Sequence, residues 1–254
     1  MPPDRRLSVA HALALGAIHG PAELMPVSSS AHVGLVPRLL GWPYPELPAD
    51  ARKSFEVALH AGTLLGLLRV VRPLPPLAAT LSTLPPAAAG WSLERPIEER
   101  LGGVRATAAG LLAGAAIMVA ADAAANGTRP ADDVRPADAL ALGLAQATAL
   151  SPGLSRLGMA VAVARLRGYS RPAAFELGRR AGLPIIAGAT ALKGWRAAQG
   201  GLPRALRAPF AAGAAAALAS TLAFAPLARR APLRSAAAER ALLAVAALRQ
   251  NGSG

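Results

Sequence analysis

Gly16-Ala17-Ile18-His19-Gly20-Pro21-Ala22-Glu23-Leu24-Met25-Pro26-Val27-Ser28-Ser29-Ser30-Ala31-His32 is an apolar helical stretch that breaks at proline and restarts with serine. Proline has no N–H to give the next helical turn, and Ser28, Ser29 and Ser30 offer caps for a new helix running through Leu40. The form recurs at Gly143-Leu144-Ala145-Gln146-Ala147-Thr148-Ala149-Leu150-Ser151-Pro152-Gly153-Leu154-Ser155-Arg156. Pro26 and Pro152, like Ser29 and Ser155, stand 126 residues apart, and Gly16 and Gly143 one residue more. A half-chain offset predicts an internal repeat, residues 1–128 and 129–250, inside a single membrane domain. The two halves are then expected to build one site together.

The remaining sequence places those breaks in a membrane. The 254 residues are 53% hydrophobic and 16% charged, with a mean hydropathy of +0.38 held down by abundant alanine. Residues 54–71, 104–125, 137–150, 181–192, 208–228 and 236–248 are nearly uniform apolar runs. Several approach the roughly 20 residues that span a bilayer, and others suit a half-span. The expected fold is an all-α integral membrane protein with about six transmembrane helices and two re-entrant helix pairs in inverted repeats. Broken backbone at membrane depth is tolerated only where it lines a cavity or packs inside protein.

The net charge of +13 comes almost entirely from arginine. Nucleic acid is not the expected partner: the arginines are scattered between helices, and four Phe, three Trp and two Tyr leave little to stack on bases. Arginine on short loops fits the membrane charge bias and anionic head groups. The absence of cysteine excludes disulfides and thiolate metal sites. Arg5 and Arg6 precede an apolar stretch that runs into His19 and Glu23 with no clear cleavage site, so the N-terminal segment is expected to be retained.

Along the chain, helices are expected over 7–24, 54–72, 104–125 and 137–150, then from the second break through about Arg167; a polar turn at Gly168 to Arg171 leads to another helix, and 181–198, 208–228 and 236–248 follow. The five prolines within 73–91 predict a helix broken or capped several times. Residues 92–105, the most charged stretch, are expected in water. Residues 126–138 form a polar loop between the halves, and residues 251–254 an unstructured polar tail.

Glu23, Ser29 and His32 surround the first break. A restarting helix leaves backbone N–H groups unpaired, which favours an anion such as phosphate. A serine or histidine there can attack phosphorus, and a carboxylate can act as base or hold a metal ion. Ser151, Gly153, Ser155 and Arg156 repeat the arrangement, and Arg156 adds a planar cation suited to two phosphate oxygens. His19 lies four residues before Glu23, on the same helix face.

Glu23 through His32, together with Gln146 through Arg156, resembles the two signatures of the bacitracin-resistance family of undecaprenyl-diphosphate phosphatases. Phe55 through Leu64 and Leu183 through Ala189 resemble the stretches that follow each signature. The resemblance implies a multi-pass enzyme of the bacterial cytoplasmic membrane, with a site opening toward the outer face. It implies hydrolysis of a C55 polyprenyl diphosphate to the monophosphate, recycling a cell-wall lipid carrier with Mg or Ca in support. Carried onto this sequence, Glu23, Ser29, His32 and Arg156 are the expected catalytic set, with Glu23 the metal ligand. Ser28, Ser30, Gly153, Ser155, Gln146 and His19 are expected to contact substrate. An oligomer is compatible with the sequence.

The chain departs from the family at His19, where Glu or Gln is usual, at Leu157 (Ser), at Ala160 (Thr), and at Arg179 and Arg180, where the family is apolar. Two alternatives accompany the phosphatase assignment: a transporter or flippase for a lipid phosphate, and a phosphatase for a different polyprenyl diphosphate. Membrane acid phosphatases that pair Ser-Arg with a downstream His are excluded, because no histidine follows His60.

Overall fold

The described residues form ten α-helices: α1 (Val9–Leu24), α2 (Ser29–Leu39), α3 (Ala49–Val70), α4 (Pro76–Leu101), α5 (Val104–Ala124), α6 (Pro136–Thr148), α7 (Arg156–Leu166), α8 (Arg171–Gly200), α9 (Arg204–Ala228) and α10 (Leu233–Gly252). They come from a computed structural model that describes residues 7–201, 203–228 and 233–252. Among the described residues the only extended pairing is an isolated bridge between Arg129 and Tyr169. Arg5, Arg6 and the end of the expected polar tail lie outside the described residues.

Both breaks fall where proline and serine predict them, between α1 and α2 and between α6 and α7. Three expectations change. The proline-rich stretch is one continuous helix, α4, with Pro85, Pro86 and Pro96 inside it. Pro86 cannot donate to the carbonyl of Ser82, but the Gln146 side-chain amide donates to that oxygen at 3.2 Å, so the turn survives. The helix expected after the polar turn at Gly168 to Arg171 and the one expected over 181–198 are a single helix, α8, capped by the Ser170 hydroxyl, which accepts from the Ala173 amide. The tail is helical as far as Gly252.

The helices pack in corresponding pairs. α1 lies on α9 as α6 lies on α4, α2 on α10 as α7 on α5, and α1 on α3 as α6 on α8. α5 meets α10, and α3 meets α8. Glycine permits the tightest approach: a Cβ at Gly16 or Gly20 of α1, or at Gly62 or Gly66 of α3, would collide with α9. Small residues four apart are the usual way for helices to associate in lipid, where packing replaces the hydrophobic drive.

α5 and α9 are long and apolar enough to cross a membrane. Large apolar side chains also face outward on other helices, including Leu65 and Leu68 of α3 and Leu242 and Val245 of α10. Polar clusters sit elsewhere. In the loop between halves, the Arg129 guanidinium donates to Asp133 and Asp138, each at 2.8 Å. That bond holds the Asp133 carboxyl below its ordinary range.

Candidate active site

The two helix restarts have different backbones. Ser28 ahead of α2 has φ +74°, the only described residue other than glycine in the left-handed region. Ser28 occupies the cap position, yet its side chain makes no capping hydrogen bond. The first amides of α2 therefore have no intrahelical acceptor, which suits an anion. At the second break Gly153 takes the left-handed conformation (φ +87°), and Ser155 is a working cap whose hydroxyl accepts from the Gly158 amide at 3.1 Å.

One side chain spans both breaks. Arg240 of α10 is fully buried and donates to the carbonyls of Pro26 (3.0 Å), Gly153 (2.9 Å), Leu111 (3.2 Å) and Gly110 (3.3 Å). Pro26 and Gly153 are the break residues themselves. A cation on these carbonyls satisfies groups that the interrupted helices leave open.

Glu23, at the end of α1, is the hub of the site, with its side chain 8% exposed. Its Oε1 accepts from Ser29 Oγ at 2.5 Å and from Arg156 Nη2 at 3.2 Å, and Oε2 lies 3.4 Å from the same guanidinium nitrogen. His60 Nε2 of α3 is 3.3 Å from Oε1. Ser29 from the first break, Arg156 from the second and His60 from α3 thus converge on a single carboxylate. A hydroxyl against a carboxylate at a helix start is a nucleophile–base pair in form, and Arg156 stands ready to bear phosphate charge.

His32 faces the other way. Its Nδ1 meets the carbonyl of Ser28 at 2.8 Å and its Nε2 meets Glu239 Oε1 at 2.7 Å. Both ring nitrogens are engaged, so neither lone pair is free to attack phosphorus. Of the other expected contacts, Ser30 is exposed, and Ser28 Oγ lies 3.4 Å from Ser30 Oγ. Gln146 ties α6 to α4 and α8 through the carbonyls of Ser82 and Ala181. Gly153 is needed for its backbone: a Cβ there would strike the Thr107 carbonyl of α5. Ser155 spends its hydroxyl on the cap.

His19 is fully buried, with Nδ1 2.9 Å from Thr63 Oγ1 and its ring edge-on to His60, centroids 4.6 Å apart.

The family model for bacitracin resistance protein BacA matches residues 12–73 and 76–245. The chain belongs to this family. Curated relatives include the undecaprenyl-diphosphatase of Geobacter sulfurreducens, 36% identical over 82% of this chain and 84% of the relative. The undecaprenyl-diphosphatase of Pelobacter propionicus is 34% identical over 82% of each. That of Thermomicrobium roseum is 34% identical over 83% of this chain and 85% of the relative.

Within this BacA-family chain the departures have local partners. Leu157 and Ala160 are core residues of the α6–α7–α8 packing. Arg179 donates to the carbonyls of Leu24 and Ala228, at the ends of α1 and α9. Arg180 is buried, with Asp132 at 3.3 Å and the Pro73 carbonyl at 3.3 Å. Arg179 thus joins α8 to two helix ends, and Arg180 joins it to the α3–α4 and α5–α6 connections.

A hard cation fits the hub poorly. Mg and Ca take six or more oxygen ligands, whereas the His, Asp and Glu ligand atoms that gather here among the described residues are one Glu23 oxygen and the imidazole nitrogens of His19 and His60.

His60, Glu239 and Arg240 escape a reading of the sequence that takes their helices as uniform apolar runs. The signal is nonetheless there, since an ionisable residue inside such a run marks a functional position by default.

Proposed function

We propose that the protein hydrolyses undecaprenyl diphosphate to the monophosphate and inorganic phosphate, returning the lipid carrier to cell-wall synthesis. Family membership supports the reaction, and one observation carries the site: Glu23 holds Ser29 at the start of α2 while Arg156 arrives from the other break. Ser29 Oγ attacks the terminal phosphorus as Glu23 takes its proton. The bond to the bridging oxygen breaks and the polyprenyl monophosphate leaves. Glu23 gives up that proton to solvent, and the restored carboxylate then takes a proton from water, which attacks phosphorus and frees phosphate as Glu23 returns the proton to Ser29 Oγ.

The open amides of α2 and the Arg156 guanidinium bear the charge that builds on the phosphoryl oxygens. His32 takes the acid role toward the leaving group once bound substrate draws its Nε2–H away from Glu239. Ser28, Ser30 and the Gly153–Ser155 turn border the diphosphate. Each step runs on the chain's own residues. A divalent cation bound through Glu23 would supply further charge neutralisation.

The architecture that serves this chemistry is a pair of repeats, α1–α5 and α6–α10, in the bacterial cytoplasmic membrane. α1–α2 and α6–α7 are the re-entrant pairs, and α3, α4, α5, α8, α9 and α10 are the six spans. The corresponding helix pairings support this division. The polyprenyl tail lies in lipid between helices and only the head group enters the polar cavity.

The test is phosphate release from undecaprenyl diphosphate by detergent-purified protein, where no second compartment exists. Release by the parent, lost in Ser29→Ala and Glu23→Gln, is expected. Binding without release would favour a lipid-phosphate transporter. Release from a shorter polyprenyl diphosphate alone would change the substrate.

A further inference from the structure

We propose that His19, Glu23 and His60 hold a borderline divalent metal ion of the zinc class, through two imidazole nitrogens and one carboxylate oxygen. One ligand atom from each residue lies within 4.8 Å of the other two, and His60 Nε2 is already 3.3 Å from Glu23 Oε1. Donors about 2.1 Å from a tetrahedral ion stand roughly 3.4 Å apart, so closing the triangle takes side-chain movements of about an ångström.

Both imidazoles have the partner that a metal-binding histidine uses. His60 Nδ1 donates to the Glu56 carbonyl at 2.8 Å, which puts the ring proton there and the lone pair on Nε2. His19 Nδ1 faces Thr63 Oγ1 at 2.9 Å, and donation to that oxygen leaves Nε2 as the lone pair. His19 Nε2 has no hydrogen-bond partner although the residue is fully buried. A buried ring nitrogen without a partner is costly, and a bound ion is one of the few things that explains it.

The donor set chooses the metal class. Two nitrogens and one carboxylate oxygen suit zinc or cobalt and leave a coordination position open, whereas magnesium and calcium need a shell of oxygens. The open position would take a phosphate oxygen, for which the proposal rests on the phosphatase assignment. Arg156 is the competitor, since its guanidinium reaches both Glu23 oxygens. An ion on Glu23 would release that guanidinium toward phosphate.

The experiment is metal binding by chelator-stripped, detergent-purified protein, using Co²⁺ absorption, Zn²⁺ equilibrium dialysis and Cu²⁺ electron paramagnetic resonance. One equivalent of Zn²⁺ is expected, displacing Co²⁺ from a site with visible d–d bands, and unaffected by millimolar Mg²⁺. The Cu²⁺ spectrum of the parent should carry hyperfine splitting from two imidazole nitrogens. His19→Gln and His60→Gln should abolish this site, and Thr63→Val should weaken it about 10- to 100-fold. Sub-stoichiometric Zn²⁺, a Cu²⁺ spectrum without nitrogen splitting, or binding unchanged in both histidine variants would overturn the proposal. The Cu²⁺ result on the parent decides even where a variant does not fold. Phosphate release measured on the same samples separates the two claims: metal binding without hydrolysis refutes only the phosphatase, and metal-independent hydrolysis without binding refutes only the site.

Discussion

The two helix breaks share a proline, a left-handed residue and a carbonyl held by Arg240, yet they do different work. At the first, Ser28 leaves the α2 amides uncapped, and Ser29 is left to meet Glu23. At the second, Ser155 closes the helix start with its own hydroxyl, and the break contributes Arg156. Repeating a motif therefore does not repeat a role. On the proposed mechanism the first break supplies the nucleophile, Ser29, one residue past an open cap, and the second supplies a cation, Arg156, one residue past a closed one.

The sharpest way to break this contrast is to remove each serine. Ser29→Ala, like Glu23→Gln, should lower phosphate release by about 10²- to 10⁴-fold, the range for a lost proton-transfer partner. Ser155→Ala should keep turnover within a few fold and cost about 1 kcal/mol of stability, as for a lost cap. Equal losses of activity at both serines would make the breaks functionally equivalent.

Arg156 sets the charge contribution of the second break. Arg156→Ala should cost roughly 2–5 kcal/mol in kcat/KM, and Arg156→Lys should restore little of it, because the planar fork is lost. Full rescue by lysine would reduce the residue to a simple positive charge.

What the breaks share is tested through Arg240. Arg240→Leu uncovers the Pro26 and Gly153 carbonyls of the two breaks, and the loss should be on the order of 3 kcal/mol, read as an earlier unfolding midpoint in a denaturing-detergent titration. A smaller comparison sharpens the backbone difference. Ser28→Gly should relieve a left-handed serine and gain about 1 kcal/mol, while Gly153→Ala should lose at least as much, because its Cβ meets the Thr107 carbonyl.

Much of this contrast is legible in the amino-acid sequence. Pro26 and Pro152 locate both breaks, and Glu23, Ser29 and Arg156 stand out as polar groups in apolar surroundings. The continuity of α4 is not legible, because proline reads as a breaker unless something satisfies the freed carbonyl. Gln146, sixty-four residues away from Ser82, does so, and no local pattern announces it. Gln146 itself reads as a substrate contact for the same reason, since its motif is near the break but its amide points to α4 and α8. Glu239 and Arg240 are hidden inside a run that is apolar on average. His60 acquires meaning only when α3 brings it to Glu23.

The central claim is that two breaks half a chain apart make one phosphate site, and a double-mutant cycle of Ser29→Ala and Arg156→Ala on kcat/KM for undecaprenyl diphosphate tests it most directly. Residues serving one bound phosphate act as a unit, so the double variant should be less impaired than the sum of the singles by about 1–3 kcal/mol. Additivity to within about 0.5 kcal/mol would contradict the account, because it would mean that the two breaks act on separate events.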